Sequence, residues 1–80
     1  MVNESTGLAL PAGARERALI AGDQSTSVEV LRSLALEAGP GVRRALAGNP
    51  STPQDVLLSL AGDERRAIRL AVALNPSTPE

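Results

Sequence analysis

Arginine recurs at a fixed spacing in this chain of 80 residues. Arg17, Arg43 and Arg69 lie 26 residues apart, and all eight basic residues are Arg. A guanidinium group binds a carboxylate or phosphate through two parallel hydrogen bonds, so three aligned groups would suit an acidic or phosphorylated partner. The alternative is that each Arg packs on a neighbouring unit and pairs with an acidic residue such as Glu37 or Asp63. We favour this structural interpretation because a repeat must satisfy its own contacts first.

Basic pairs also occur at Arg43-Arg44 and Arg65-Arg66, where they could contact phosphate. The net charge is −1, and the chain contains no Phe, Trp or Tyr on which a nucleic-acid base could stack. Asp63 and Glu64 lie close to the second pair. These features disfavour nucleic acid as a partner and indicate an ordinary solvated face.

Catalytic and metal-binding residue types are scarce. Histidine and cysteine are both absent, which removes the commonest general base, thiolate metal ligands and disulfides. Carboxylate pairs can catalyse hydrolysis only in a desolvated cleft that shifts their pKa values, and a small chain without aromatic residues is a poor source of one. We therefore predict a protein that is not an enzyme and has no catalytic residues, no cofactor and no metal.

A membrane-spanning helix is not expected, because no apolar run approaches the roughly 18 residues that one requires. The segment Met1–Gly7 has an acidic residue where a signal peptide carries basic ones. These features predict a cytoplasmic protein that has no membrane partner.

The spacing of the arginines belongs to a longer internal repeat. Residues 42–53 recur as residues 68–79, and a weaker copy lies upstream in residues 17–37. A fixed period of this length is typical of a solenoid, in which each unit buries its apolar face by stacking on the next. We predict an all-α helical solenoid of about two and a half 26-residue repeats.

The units follow an N-terminal segment that does not match the repeat. Residues 1–12 are expected to form a tail or a cap, and residues 13–80 a helical repeat domain. The units are placed at about 16–41, 42–67 and 68–80, the last of them incomplete.

Each unit is expected to contain two short helices joined by a turn. Val56, Leu57, Leu60 and Ala61 have the spacing of a core-facing helical stripe. We expect Thr52 to cap this helix through its hydroxyl, with Pro53 at the first helical position.

The turn has the repeated sequence Asn-Pro-Ser-Thr-Pro. Proline disfavours the helical conformation in the residue before it, so Asn49 and Asn75 are expected to leave the preceding helix. Their side chains can then accept a hydrogen bond from the backbone two residues on and close an Asx-turn. This structural role accounts for both asparagines.

The pattern hydrophobic-Arg-x-Ala-hydrophobic-Ala-x-Asn-Pro-x-Thr-Pro, followed by Leu-x-x-Leu-Ala and an acidic residue, resembles the leucine-rich repeat variant family. The residues carrying it are Val42 to Asp63 and Ile68 to Pro79, with a blurred copy from Arg17 to Glu37. The resemblance implies a right-handed superhelix of alternating α- and 3₁₀-helices without a β-sheet. It also implies a scaffold or protein-binding role and no catalytic residues.

The cysteine-ligated iron–sulfur cluster of some members does not carry over, because this chain has no cysteine. The alternative architecture is a HEAT-like array of paired α-helices, whose units are usually longer, about 40–47 residues.

The final helix points to the most promising surface. Leu70 and Leu74 would present apolar side chains where a further unit is missing, whereas solenoids normally end in a polar cap. We expect another protein or a second copy of the chain to bind at this C-terminal end. The candidate partner-binding residues are Arg17, Arg43, Arg69, Leu70 and Leu74. A purely structural fragment of a larger repeat protein and a small anion-binding adaptor using the arginines are the alternatives.

Overall fold

Five α-helices account for most of the chain in the computed structural model, which describes residues 2–3, 8–37 and 39–79. They are α1 (Ala14–Gly22), α2 (Val28–Glu37), α3 (Pro40–Gly48), α4 (Gln54–Leu60) and α5 (Arg66–Leu74). The predicted all-α class is confirmed.

The helices are arranged in two rows. Helix α3 lies against α1 on one side and α5 on the other, and these three form the first row. Helix α2 packs on α1 and α3, whereas α4 packs on α3 and α5. The molecule is accordingly elongated, with extents of 37 × 19 × 18 Å. The right-handed superhelix, the unit count and the boundary at residue 12 stay predictions.

The core is aliphatic throughout. Each helix contributes short apolar side chains to one continuous cluster, whose buried members are Ala21, Leu31, Leu34, Val42, Leu46, Ala47, Val56, Leu57, Leu60, Ile68 and Val72. Because the chain has no aromatic side chain, close helix approach and hydrogen bonds between units carry more of the stability than they do in a thicker core.

Helices α3 and α5 both end as the sequence predicts. Asn49 and Asn75 are extended, with ψ angles of 118° and 124°, and each precedes a proline. At the other end of α3, Pro40 occupies the first turn, where its missing N–H leaves no helical hydrogen bond unmade.

The prediction that Thr52 caps helix α4 is wrong. Pro53 stands at the cap position, and the Thr52 hydroxyl instead donates to the carbonyl oxygen of Leu46 at 2.7 Å. Thr26 and Thr78 make the same backward bond, to Ile20 and Val72. The hydroxyl thus adds a second hydrogen bond to a carbonyl at the end of the preceding helix, which also accepts the backbone N–H three residues on.

Two features that the family resemblance implied, 3₁₀-helices and the absence of a β-sheet, also differ from the structure. No 3₁₀-helix occurs in residues 8–37 or 39–79, because helices of seven to ten residues are long enough for α-type hydrogen bonds. Hydrogen bonds between residues three apart occur at helix ends, as from the Asn49 N–H to the Leu46 carbonyl, and in the turns, as from the Thr52 N–H to the Asn49 carbonyl. No β-sheet was expected, yet Val2–Asn3 pairs antiparallel with Leu8–Ala9. This two-residue pairing lies in the N-terminal segment, outside the repeats.

Candidate protein-interaction surface

Asn49 and Asn75 join consecutive units as well as closing turns. The Oδ1 atom of each accepts the backbone N–H two residues on, at 2.9 Å, which confirms the predicted Asx-turns. The Nδ2 atom of Asn75 then donates to the carbonyls of Ala47 and Asn49, at 2.8 and 2.9 Å. Asn49 donates in the same way to Ala21 and Asp23, at 2.8 and 3.0 Å. Both side chains are buried, so these bonds are shielded from water.

A serine in each turn adds a second bond between units. The Ser51 hydroxyl donates to the Gln24 carbonyl at 2.6 Å, and the Ser77 hydroxyl donates to the Pro50 carbonyl. Sequence reasoning missed both sets of bonds between units. The signal available was the conservation of Asn and Ser at one register across two units of the chain itself.

Arg43 takes part in an internal ion pair. Its Nε atom lies 2.7 Å from Oδ2 of Asp63, and the Asp63 side chain is only 8% exposed. Asp63 Oδ1 accepts the backbone N–H of Arg65 at 2.8 Å. That hydrogen bond and the Arg43 charge hold the pKa of Asp63 below its usual value. For Arg43, the expected pairing with an acidic residue is therefore present.

The other two arginines of the row differ from Arg43. Arg69 is exposed, and its Nη1 atom donates to the carbonyls of Asp63 and Glu64, at 2.8 and 3.1 Å. Arg17 is half-buried on α1. The Glu37 side chain, the other acidic partner suggested for these arginines, lies outside the described part of the structure. The three arginines thus lie on α1, α3 and α5, and Arg43 and Arg69 each use one nitrogen for a contact within the repeat.

The C-terminal surface of α5 is uncovered. Ala21 and Ala47 are 0% exposed because the next unit covers each of them, whereas Ala73, in the same register on α5, is exposed. Leu70 and Leu74 are 58% and 75% exposed. We name the surface formed by Leu70, Ala73, Leu74 and the carbonyls of Ala73 and Asn75 the C-terminal end face.

A shallow groove separates α2 from α4. Arg32 and Asp55 close it with an ion pair of 2.6 Å, and both side chains are more than half exposed. Leu36 lies beside them and is 88% exposed. An exposed pair of this kind contributes little to stability, and the groove contains no further charged side chain among the residues described.

Metal and membrane features are absent from the part of the chain that the structure describes. No group of three or more Asp and Glu side chains there could hold a metal ion. No helix within those residues is long and apolar enough to cross a membrane.

The stacked helix pairs and their turns define a helical repeat protein. A family model, the leucine rich repeat variant, matches residues 40–65. These residues begin with α3, include α4 and end at the residue before α5, so the match corresponds to one period of the repeat. The match supports the expected resemblance over these residues: this part of the chain is similar to a leucine rich repeat variant unit, which is a repeat module and not a known enzyme family. No curated protein and no solved structure matches the chain.

Proposed function

We propose that the chain is a non-enzymatic repeat module that binds another protein through the C-terminal end face. The observation that carries the proposal is the exposure of Ala73 at a register that is buried in both earlier units, with the exposed side chains of Leu70 and Leu74 beside it. Repeat modules of this family generally take part in protein interaction, which supports the class of function. A cytoplasmic location is part of the proposal and rests on the sequence expectation.

The chemical groups on the C-terminal end face indicate what kind of partner would bind there. Carbonyl oxygens have two lone pairs, so the Asn75 carbonyl can accept a second donor besides the Thr78 N–H that it already binds at 3.0 Å. The leucines supply apolar area beside these acceptors. A fitting partner is therefore a protein that presents amide N–H groups flanked by small apolar side chains.

The contacts of the arginines favour protein binding over the anion-binding alternative. The Asp63 charge beside Arg43 would repel a phosphate bound there. The Nη1 atom of Arg69 already donates to two backbone carbonyls. Within the described residues, no side chain donates to the carbonyls of the C-terminal end face.

The test compares leucines of equal exposure. Leu70 and Leu58 are both 58% exposed, but only Leu70 belongs to the end face. The full chain is used to capture a partner, which is identified, purified and titrated against Leu70→Glu and Leu58→Glu by calorimetry. We expect Leu70→Glu to weaken binding at least about tenfold and Leu58→Glu to change it little. Equal losses in both variants, or a loss in Leu58→Glu alone, would contradict the proposal.

A further inference from the structure

The side of the first helix row that faces away from the core is cationic. Positions 26 residues apart share a register on α1, α3 and α5, which lie side by side, and each helix has a line of exposed residues on this side. We name these lines together the outer row face. Its residues are Arg15 and Gly22 on α1, Gly41, Arg44 and Gly48 on α3, and Arg66, Ala67, Leu70 and Leu74 on α5. The outer row face thus contains three arginines and no acidic residue.

The three guanidinium groups are open to a partner. Arg15, Arg44 and Arg66 are exposed, and none of them forms an ion pair or a side-chain hydrogen bond with another described residue. Asp63, which precedes α5, is already paired with Arg43. An arginine without an internal carboxylate can offer its N–H donors to an external one.

Glycines leave the helix backbone uncovered between these arginines. A Cβ on Gly41 or Gly48 would meet no atom within 4 Å, and neither glycine has a positive φ, so the fold requires glycine at neither position. A helix is generally more stable with alanine than with glycine. Close approach of a partner to the backbone of α3 is a reason for glycine at both positions.

We infer that the outer row face binds an acidic, amphipathic segment of another protein. The carboxylates of that segment pair with the three arginines, and its apolar side chains pack on the glycines and on Leu70. This inference goes beyond the proposed function, because the C-terminal end face contains no charged side chain.

Charge complementarity identifies this occupant. The second helix row, α2 and α4, offers no such surface, since Glu29 and Asp55 are exposed there and Arg32 already pairs with Asp55. An acidic protein segment also fits better than a nucleic acid. Leu70 and Leu74 border the arginines, and the chain has no aromatic ring on which a base could stack.

The test uses the full chain and a synthetic probe. The probe is a helical peptide of about 16 residues with a leucine stripe flanked by glutamates, and a control peptide has glutamine in place of each glutamate. NMR titration of the isotope-labelled chain measures the affinity and locates the contact. We expect the acidic peptide to shift the amide signals of Gly41, Arg44 and Gly48. The glutamine peptide should bind at least about tenfold more weakly.

Matched variants separate the outer row face from the net charge. Arg44→Gln removes an arginine from this face, whereas Arg32→Gln removes an exposed arginine from the second row and changes the net charge equally. We expect Arg44→Gln to weaken peptide binding at least about fivefold and Arg32→Gln to weaken it less than about twofold. Gly48→Ala should not lower the unfolding temperature, because its Cβ meets no other atom, yet it should weaken binding by occupying the contact surface.

Several results would overturn the inference. These are the absence of amide shifts at about 1 mM peptide, equal losses in Arg44→Gln and Arg32→Gln, and tighter binding of phosphatidylserine vesicles than of the acidic peptide. Concentration-dependent shifts of the same amides in the chain alone would also overturn it, since a second copy would then be the occupant. The proposed function is decided separately, by titrating the captured partner with Leu70→Glu and Leu58→Glu.

Discussion

The side-chain amide of Asn75 donates to the backbone carbonyl of Asn49 across 2.9 Å, and Asn49 makes the equivalent bond to Asp23 at 3.0 Å. Each turn is therefore tied to the turn one unit earlier. The ladder begins at Asp23 and reaches Asn75, whose carbonyl is in register with the two that accept an amide. The Asn75 carbonyl can therefore accept one more donor, and this capacity underlies the proposed binding surface.

Replacing Asn49 with Asp tests the ladder. The carboxylate can still accept the Ser51 N–H, but it turns an acceptor toward the Ala21 and Asp23 carbonyls. The Ala21 carbonyl would lose this donor, and the Asp23 carbonyl, which keeps the Thr26 N–H, would face a buried carboxylate. Leaving a buried acceptor without a donor costs about 1–3 kcal/mol, and the repulsion adds to it, so we expect a loss of roughly 3 kcal/mol or complete unfolding. Urea denaturation followed by circular dichroism measures the change.

The matched control for this substitution is Asp23→Asn, the reverse exchange in the first unit. Among the described residues, the Asp23 side chain bonds only the Ser25 N–H within its own turn, which an asparagine can also accept, so the free energy of unfolding should change by no more than about 0.5 kcal/mol. An Asn49→Asp variant as stable as the unsubstituted chain would show that the amide bonds are not needed.

Enlarging an alanine between units tests the stacking of α3 on α5. Ala47 is fully buried, and overpacking a close-packed site typically costs about 1–3 kcal/mol, so Ala47→Leu should destabilise the chain by that amount. Ala73→Leu makes the same change on the exposed end face and should cost less than about 0.5 kcal/mol. Thermal unfolding distinguishes the two variants, and similar midpoints for both would contradict the burial of Ala47.

Substitutions of Thr52 distinguish the hydrogen bond from its hydroxyl to the Leu46 carbonyl from a capping role at α4. Thr52→Val keeps the shape but removes the donor to the Leu46 carbonyl, and we expect a loss of about 1 kcal/mol. Thr52→Ser keeps the hydroxyl and should be less destabilising. Hydrogen exchange locates the effect: the amides at the end of α3 should lose protection first. Loss confined to the first turn of α4 would favour the cap instead.

Acid should weaken the fold partly through Asp63. The Arg65 N–H and the Arg43 charge lower the pKa of Asp63 in the folded state, so this group stabilises the fold above about pH 4. That contribution disappears as the pH falls through the lowered folded value, because the unfolded chain then binds the proton more readily. Unfolding free energies measured between neutral pH and pH 2 should show this loss.

Two variants separate the causes of that dependence. Asp63→Asn removes the titrating group and should reduce the loss of unfolding free energy in acid most. Arg43→Gln removes the charge and the Nε contact, leaves the Arg65 hydrogen bond in place and should reduce the loss of stability in acid by a smaller amount. If Asp63→Asn loses as much stability in acid as the unsubstituted chain, the pH dependence belongs to other carboxylates. One of these is Asp55, whose pKa the Arg32 hydrogen bond lowers.

The sequence predicted those parts of the fold that depend on neighbours in the chain. The Asx-turns at Asn49 and Asn75 span two residues, and the following prolines restrict the backbone directly, so both were accessible to local reasoning. The helical stripe likewise predicted the buried side chains of α4, which are Val56, Leu57 and Leu60. The fourth expected member, Ala61, is exposed because α4 ends at Leu60.

Contacts between units could not be predicted from the sequence in the same way. The second role of the asparagine amide requires a carbonyl 26 or 28 residues away, whose position depends on how α1, α3 and α5 stack. Thr52 was assigned to the wrong helix because its hydroxyl lies between two helix ends, and only the turn geometry decides which carbonyl it reaches. The candidate surface was predicted at Leu70 and Leu74, but the acceptor carbonyls beside them became apparent only from the ladder.

Solvent exchange of side-chain amide protons tests the ladder most directly, because it observes the donating atoms themselves. In the folded chain, NMR should show the Nδ2 protons of Asn49 and Asn75 exchanging far more slowly than the side-chain amides of Gln24 and Gln54, which are exposed and serve as internal references. Protection of both asparagines is the result that this account predicts. Exchange at the rate of the exposed glutamines would contradict it, and would remove the basis for treating the C-terminal end face as an unused junction.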